Sequence, residues 1–464
     1  MKFKKGIAML LVGAMCLPLA ACGDGDDGGK KFTSGVKELR YRVSNDTTSM
    51  AWIQKIIDDF NAVYEEKGYR VVKETTGSEY YQSLDSDFAS KRAPDIVLME
   101  IGTISAYLPQ GYLLPLDKYL NKEGGIQTSD LWEVNDYFKW TKTGGLGAAD
   151  GSYYALVKDW SPDFMLIYNK TMLNDYNSKH PNEQITISET DPLSWDEYYE
   201  IASKMTSGGV MGTSMDFVPY KHLMEYVQMT GETLFTADGR HVNMSFKADG
   251  TPQENGVYQA FKYYTDLQYG KGAPATPVTN ATTEGGGMER FKNGSIWSVW
   301  NGLYAFPQYR LYDANFEIGI APPPVYNKEN GAYAATSAMV GHAINANCKY
   351  PDIAYEFIQF YMTEGAKHYV GMGYNFPGLK TVAASDMFLD PEVEEMKPYT
   401  NYFYNFVTNE NTTIEPLKFS PELSYNRMGT LLSVPFAKFF AGKQNLSKTV
   451  KEFYDLVEED LEEW

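Results

Sequence analysis

The sequence is poor in the residues that build disulfide scaffolds and metal centres. Its three cysteines, Cys16, Cys22 and Cys348, are spread over 464 residues, and none stands in a C-x-x-C pair. Structural zinc sites and dithiol redox sites use such pairs, and disulfide-rich domains need more cysteines. Only five histidines are present, and no two are spaced i and i+4, as metal ligands on one helix face would be. The sequence therefore predicts no disulfide framework, no metal site and no cofactor.

Positive charge is also scarce. The chain has 41 lysines and arginines against 60 aspartates and glutamates, which gives a formal net charge of −19. Such a charge repels phosphate backbones and anionic lipid surfaces, so we expect no nucleic-acid partner. The motifs H-E-x-x-H, G-x-S-x-G and G-x-x-x-x-G-K-[ST] are missing as well. The sequence therefore carries no recognised catalytic signature, and we do not expect an enzyme.

The amino-terminal residues are typical of an export signal. Three lysines precede an apolar run from Ile7 to Leu17, which is too short to span a bilayer. The run ends in Leu-Ala-Ala-Cys, which resembles a bacterial lipobox, so we expect residues 1–21 to be removed and Cys22 to be lipidated. An ordinary cleavage site with an incidental cysteine is the alternative. Residues 23–29 are only Gly and Asp, which predicts a flexible tether over residues 22–35.

The body of the chain has the periodicities of an α/β fold. Leu39, Tyr41 and Val43 alternate with polar residues as in a strand, and a second strand is predicted from Tyr69. Between them one apolar helical stripe is formed by Ile53, Ile56, Ile57, Phe60 and Val63. The continuous apolar run 96–99 is typical of a strand buried on both faces. These elements predict a βαβ unit and a helix-covered sheet.

Later segments carry helix-start signals. Ser194 and Glu197 have the spacing of a capping box, and Pro351 suits the first position of a helix. Ser447 is predicted to cap a terminal helix whose apolar face includes Val450 and Phe453.

Several segments together resemble the extracellular solute-binding proteins of ABC importers, the carbohydrate-binding family that includes maltose-binding protein. The sharpest are the "YNK" sequence at 168–170, after the "DGSYYAL" sequence at 150–156, and the "PLSWDE" sequence at 192–197. Further similar segments are "PDIV" at 94–97, "GYLLPLD" at 111–117, "FKNGSI" at 291–296 and "PDIAYEFI" at 351–358. Their order and spacing cover nearly the whole chain.

This resemblance implies a type II, two-lobed periplasmic-binding-protein fold of the α/β class, in which each lobe is a sheet flanked by helices and a hinge joins them. By analogy, lobe 1 takes residues 36–157 and 339–374, and lobe 2 takes 158–338 and 375–464. It also implies a lipid-anchored, monomeric receptor that captures a sugar, expected to be an oligosaccharide, and delivers it to an ABC permease. The expected location is the outer face of the cell membrane of a Gram-positive bacterium.

A sugar site needs aromatic rings for the apolar faces and polar side chains for the hydroxyl groups. Most candidate residues follow predicted strands, where α/β lobes bind ligands, or match the family's segments. Ser337 and Tyr374 are chosen because they lie near predicted crossovers, and Tyr425 and Arg427 because they precede the terminal helices. The candidates are Asn45, Asp46, Glu79, Tyr80, Tyr81, Glu100, Asp159, Trp160, Tyr220, Trp300, Asn301, Tyr304, Ser337, Tyr374, Tyr425 and Arg427. Helix capping and core packing are the alternative roles for many of them, and Arg427 has the alternative of pairing with an acid. Trp297 is expected to face the core.

Two other functions stay open at this point. A receptor of the same fold for a polyamine, a peptide or a metal chelate would use acids and aromatic cages. An anchored glycoside hydrolase would use two carboxylates beside aromatic residues.

Overall fold

A computed structural model describes residues 35–44, 47–76, 80–214, 219–236, 239–269, 274, 286–336, 338–418, 420, 423 and 425–462. The chain divides into a short unit, Met1–Val36, and a large unit, Lys37–Trp464, which contains all elements below. Several predictions lie outside the described residues: the signal peptide, the lipidation site Cys22, nearly all of the tether, and the candidate residues Asn45, Asp46, Glu79 and Ser337. So does the side chain of Tyr425.

The first sheet is mixed and has six strands. These are β1 (Lys37–Ser44), β2 (Tyr69–Thr76), β3 (Ile96–Glu100), β7 (Leu156–Ser161), β13 (Ala338–Ile344) and β14 (Phe376–Pro377), in the order β14-β7-β13-β3-β1-β2. β1 is parallel to β2 and β3, whereas β13 is antiparallel to β3 and β7. The carboxyl ends of β1, β2, β3 and β7 therefore share one edge.

Four helices accompany the first sheet along the chain: α1 (Thr47–Tyr64), α2 (Tyr80–Ala89), α3 (Ile101–Ile104) and α10 (Pro351–Met362). The predicted β1-α1-β2 unit is confirmed, because β1 and β2 pair in parallel register on either side of α1. Leu39, Tyr41 and Val43 are fully buried, as their alternation indicated. Val63 was expected on the apolar stripe of α1, but it is 52% exposed because it lies in the last turn, beyond the covered part of the helix.

The second sheet has the order β11-β8-β10-β9, with β8 (Met165–Asn169), β9 (Met211–Thr213), β10 (Ile296–Asn301) and β11 (Ile318–Ala321). β8 is antiparallel to β10 and β11, and β9 is parallel to β10. Its helices are α4 (Lys170–Lys179), α5 (Trp195–Met205), α6 (Pro219–Met229), α7 (Gly256–Asp266), α8 (Gly286–Lys292) and α9 (Ala305–Tyr309). The predicted capping box is confirmed at the start of α5, where the Glu197 amide donates to Ser194 and the Ser194 amide donates to Glu197.

Smaller elements complete the body. They are β4 (Lys139–Thr141), β5 (Gly145–Leu146), β6 (Ser152–Tyr153), β12 (Ala332–Thr336), β15 (Thr412–Pro416), α11 (Lys380–Ala383), α12 (Asp386–Leu389), α13 (Lys397–Thr408), α14 (Tyr425–Phe440) and α15 (Leu446–Glu462). β4 joins β5 and β6, and β12 pairs in parallel with β15. The predicted cap of the terminal helix was wrong by two residues. α15 begins at Leu446, and Asn445 accepts the hydrogen bond from the amide of Lys448.

In the part of the chain that the structure describes, buried apolar residues form two clusters. The larger cluster holds the core of the first sheet and also Met165, Ile167 and Val299 from the second sheet. The other cluster includes Trp297 and Trp300 of β10 and packs α5, α6, α7, α14 and α15 against the second sheet. The second sheet therefore contributes side chains to both cores. Within the described residues, the helices are all too short or too polar to cross a membrane.

Candidate functional site

The short crossover 162–164 brings an edge of one sheet next to an edge of the other. Ser161 ends β7 at the edge where β1, β2 and β3 end, and Met165 begins β8 after the three residues of the crossover. Because β10 and β11 are antiparallel to β8, Asn301 and Ala321 end their strands beside the start of β8. We call these two adjacent borders the facing edges. The first edge contains the ends of β1, β2, β3 and β7, and the second edge contains the ends of β10 and β11 beside the start of β8. Ligands of open α/β sheets bind at such carboxyl ends.

The end of β3 carries an exposed carboxylate, Glu100. The hydroxyl group of Tyr81 accepts a hydrogen bond of 3.1 Å from the Glu100 amide, so this half-buried ring lies beside the strand end. Tyr80 is buried, and its hydroxyl group accepts from the Leu98 amide at 2.9 Å and donates to the Leu98 carbonyl at 3.1 Å. Tyr81 thus lies with Glu100 at the edge, whereas Tyr80 holds α2 against β3.

Asp159 lies at the same level of the sheet as Glu100. Val340 of β13 pairs with Glu100 on one side and with Asp159 on the other. A β-bulge between Val340 and Gly341 leaves Lys158 as an extra residue, and the Lys158 ammonium forms an ion pair with Asp159. Both side chains are about nine-tenths buried. A buried anion with its own cation nearby keeps the local net charge low.

Buried aromatic residues surround this ion pair. The Tyr369 hydroxyl donates to the Lys158 carbonyl at 3.3 Å. His342 is fully buried, and its Nε2 lies 2.8 Å from the Tyr41 hydroxyl. Burial, and next the charge of Lys158, lower the pKa of His342 well below its usual value. His342 is therefore neutral at physiological pH.

Two more predicted residues of the first edge lie apart from each other. Trp160 is 2% exposed and packs between Trp132 and Phe376, with ring centroids 5.5 and 5.2 Å away. Tyr374 is half-buried, its ring centroid is 5.8 Å from that of Trp52, and its hydroxyl donates to Gln308 of α9 at 3.4 Å. Tyr374 thus connects the first edge with the second sheet, whereas Trp160 lies in the core.

The turn after β10 forms the second edge. The Asn301 carboxamide accepts from the Gly302 amide at 2.8 Å, and the Leu303 amide donates to the Ser161 hydroxyl at 3.1 Å. A Cβ atom at Gly302 would lie 2.8 Å from the Ser161 hydroxyl, 2.9 Å from the Tyr304 ring and 3.0 Å from the Asp163 carboxylate. A side chain at this position would therefore force these neighbours to shift. The turn is therefore held against the crossover, with Tyr304 half-buried beside it.

The other predicted aromatic residues of the second sheet are interior. Trp300 is 4% exposed, and its indole donates to the Tyr198 hydroxyl at 2.8 Å. Tyr220 is 2% exposed in the first turn of α6 and would contact a side chain at Gly429 of α14. Arg427 lies on α14 and forms a bidentate ion pair with Asp460 of α15, the alternative that its sequence left open.

Sequence reasoning did not single out Lys221. This half-buried lysine follows Tyr220 in the first turn of α6, and its charge acts on Glu100 of the first sheet. Crowding by protein atoms limits the hydration of Glu100 and raises its pKa, and the positive charge of Lys221 opposes that rise. The available sequence signal was Pro219. Proline is common at the first position of a helix, so Pro219 predicts a helix start that places Lys221 in the first turn.

The described residues also contain a surface hollow that lies apart from the facing edges, and they contain no cluster of metal ligands. A hollow of about 430 Å³ is lined by residues of the 124–130 loop, the end of α10 and α11, away from the facing edges. No group of three or more His, Cys, Asp or Glu side chains in the described ranges is arranged to hold a metal ion.

Comparison with known proteins identifies the family and the fold. A family model for bacterial extracellular solute-binding proteins matches residues 55–395, more than half of the chain. An ABC substrate-binding protein of Listeria monocytogenes, solved with cycloalternan, has a TM-score of 0.69 at 18% identity and covers 91% of this chain and 98% of its own. The sugar-binding protein MalE of Xanthomonas citri also has a TM-score of 0.69, at 15% identity, with coverages of 92% and 98%.

A third structure, the cyclic α-maltosyl-1,6-maltose binding protein of Arthrobacter globiformis, has a TM-score of 0.67 at 16% identity and covers 93% of this chain and 100% of its own. The family and these neighbours are binding proteins. The family and the fold class predicted from the sequence are thereby confirmed. This chain belongs to the bacterial extracellular solute-binding protein family and has the two-lobed α/β fold of these proteins.

Proposed function

We propose that this protein is a lipid-anchored extracytoplasmic receptor that captures a sugar, an oligosaccharide, between its lobes and delivers it to an ABC permease. One observation carries the proposal. Three half-buried tyrosines, Tyr81, Tyr304 and Tyr374, accompany the exposed carboxylate of Glu100 along the facing edges. Such rings suit the apolar faces of a sugar, and a carboxylate suits its hydroxyl groups.

The names of the comparison structures support the same ligand class. One of these proteins was solved in complex with cycloalternan, one is named for binding cyclic α-maltosyl-1,6-maltose, and one is described as a sugar-binding protein. The proposed lobes are residues 36–157 with 339–374, and 158–338 with 375–464. A ligand that contacts both lobes at once binds the closed form better and therefore shifts the population towards closure. The closed shape is the proposed signal to the permease.

The proposed anchor and location rest on the amino-terminal sequence and on the family's extracellular character. Lipidated Cys22 and the tether to residue 35 would leave a monomeric body free to close beside the permease. The outer face of a Gram-positive membrane is the proposed location.

A thermal-shift screen of the chain from residue 23 onwards tests the ligand class, because a ligand that binds only the folded state raises the melting temperature. The panel holds neutral mono- and oligosaccharides, polyamines, peptides and amino acids. We expect a shift with an oligosaccharide that is recovered uncleaved. A shift with only a polyamine or a peptide would replace the ligand class, and recovery of shortened sugar would indicate a hydrolase.

Two variants refine this experiment. Tyr304→Ala should weaken sugar binding about tenfold or more, equivalent to about 1.4 kcal/mol, with little change in melting temperature. Trp300→Ala serves as the contrast, because emptying a core site costs about 3–5 kcal/mol of stability. Equal sugar affinity in Tyr304→Ala and the unmodified protein, measured by calorimetry, would remove Tyr304 from the proposed site.

A further inference from the structure

One residue of the crossover 162–164 has a backbone conformation that side chains disfavour. Phe164 has a φ of +62°, which lies in the left-handed region. Glycine occupies this region readily and asparagine tolerates it, whereas a bulky aromatic residue there is an outlier. Such a conformation persists only where the surrounding structure holds it, and it is concentrated at sites where the strain has a role.

Buried contacts hold Phe164 in this conformation. Its side chain is 6% exposed, and its ring centroid lies 4.8 Å from that of His222 in the first turn of α6. Three other non-glycine residues in the described ranges have a positive φ, and all of them lie in exposed turns: Lys91, Asn121 and Arg310. Among these four residues, Phe164 is therefore the one whose strain is fixed by a core.

The other two residues of the crossover are already restrained. The ring of Pro162 keeps its φ near about −65°. The Asp163 amide donates a hydrogen bond of 2.8 Å to the Ala335 carbonyl of β12. Phe164 is thus the residue of this crossover at which a change of φ can turn the second sheet relative to the first.

We propose that Phe164 is a strained hinge residue that sets the balance between two arrangements of the proposed lobes. In the described arrangement its φ is left-handed, and in the second arrangement its φ is negative. Strain of this kind at one residue changes an equilibrium constant by about fivefold or more. A sugar that binds one arrangement better is helped or opposed by this bias. The inference rests on the proposed function and deepens it, because it names the residue that tunes the affinity.

Substitutions at this position separate the backbone from the ring. Phe164→Ala keeps the Cβ atom and Phe164→Gly removes it, and both lose the ring, so the difference between them reports the backbone strain. Phe164→Asn should lie between them, because asparagine tolerates the left-handed region. Lys91→Ala and Lys91→Gly are the matched controls, since Lys91 has a φ of +58° in an exposed turn between α2 and β3.

Small-angle X-ray scattering of the ligand-free variants tests the hinge without any sugar. Because glycine accepts the left-handed conformation, Phe164→Gly should match the scattering of the described arrangement more closely than Phe164→Ala does. The two Lys91 variants should scatter alike.

Titration calorimetry with the sugar found in the thermal-shift screen tests the link to binding. The affinities of Phe164→Gly and Phe164→Ala should differ about fivefold, whereas those of the two Lys91 variants should be equal. Scattering of the sugar-saturated unmodified protein fixes the direction. Glycine should tighten binding if the bound protein has the described arrangement, and it should weaken binding if the bound protein has the other one.

The unmodified protein provides a direct measurement, which also covers the case in which Phe164→Ala does not fold. The carbon-13 chemical shifts of Phe164, in protein labelled at phenylalanine, report its backbone conformation with and without sugar. We expect these shifts to change on saturation with sugar, because the population of the left-handed form changes.

The outcomes separate this inference from the function on which it rests. If the unmodified protein binds sugar but the Phe164 shifts do not change, or if the glycine and alanine variants bind sugar equally, the hinge is overturned and the receptor function stands. If no sugar binds the unmodified protein, the receptor function fails, and the ligand-free scattering still decides whether Phe164 sets the balance. Circular dichroism and melting temperatures of every variant check that the fold is intact.

Discussion

At the scale of the residue, Asn61 covers backbone groups on the unpaired side of β2, the outermost strand of the first sheet. β2 is the edge strand, and the Asn61 carboxamide from α1 bonds both backbone groups of Val71. Its nitrogen donates to the Val71 carbonyl at 2.9 Å, and its oxygen accepts from the Val71 amide at 2.8 Å. Unpaired groups on an edge strand can pair with another chain.

Asn61→Leu, which keeps the size of the side chain, should therefore cost about 1–3 kcal/mol and increase self-association. Urea unfolding measures the first effect, and light scattering after gel filtration measures the second. Gln54→Leu makes a similar polar-to-apolar change on α1, where the side chain donates to Asp58 of the same helix. Equal stability and equal association in the two variants would show that Asn61 does not protect the edge.

Single side chains also show which burial can be predicted from sequence periodicity and which cannot. The alternation in β1 correctly predicted that Leu39, Tyr41 and Val43 are buried. Arg42, on the opposite face of the strand, is only 3% exposed, because its guanidinium bonds Glu74 and Asp87, and Asp87 is on α2, which covers that face. Periodicity identifies one apolar face, but it does not reveal which other element covers the second.

At the scale of the element, α6 carries a buried acid. Glu225 is fully buried, and its burial, followed by the nearby Asp163 charge, raises its pKa well above the usual value, whereas the Ala335 amide opposes the rise. Its pKa is therefore higher in the folded than in the unfolded state. The protonated Glu225 is compatible with burial, so its contribution to the free energy of unfolding is fully retained below the unfolded-state pKa, near 4.5. That contribution is lost as the pH rises towards the folded-state pKa.

Glu225→Gln should remove this pH dependence, because the amide does not ionise. We expect the variant to melt a few degrees above the unmodified protein at pH 8, and the advantage to shrink at pH 5. Differential scanning calorimetry at the two values measures the effect. A difference in melting temperature that is the same at pH 5 and pH 8 would show that Glu225 does not titrate in this way.

Elements were predictable when their signals are local. The capping box of α5 and the β1-α1-β2 unit depend on residues close in sequence, and both predictions are confirmed. The bulge that places Lys158 beside Asp159 depends on β13, a strand from a distant part of the chain. Strict alternation would have put these two side chains on opposite faces, so the buried ion pair could not be inferred from the sequence.

At the scale of the whole molecule, we expected ligand-binding residues just after strands, because ligands bind at the carboxyl ends of strands in α/β sheets. Glu100 and Tyr304 were chosen in this way, and both lie at the facing edges. The same rule did not anticipate that Trp300 and Tyr220 would be covered, because that depends on how α5, α6 and α14 pack on the second sheet. Lys221 was missed for the same reason. Its influence on the pKa of Glu100 exists only once the crossover has brought the two sheets together.

The shared core has a consequence for unfolding. Met165 and Ile167 belong to the second sheet but are buried in the cluster that holds the first, and residues 37–464 form one compact unit. Exposing one sheet would therefore expose core side chains of the other. We expect one cooperative thermal transition, with equal calorimetric and van't Hoff enthalpies, instead of one transition per lobe.

Two core variants make this prediction specific. Met165→Ala removes a side chain from the shared cluster, and Val227→Ala removes one from the cluster of the second sheet alone. A buried Met→Ala change costs about 2–5 kcal/mol, and Val→Ala should cost less because fewer atoms are lost. Both variants should lower the same single melting temperature, since the second sheet cannot unfold while the shared cluster stays intact. Separation of the Val227→Ala endotherm into two peaks would show instead that the lobes unfold independently, and a sugar added to that variant would then raise both peaks only if it contacts both lobes.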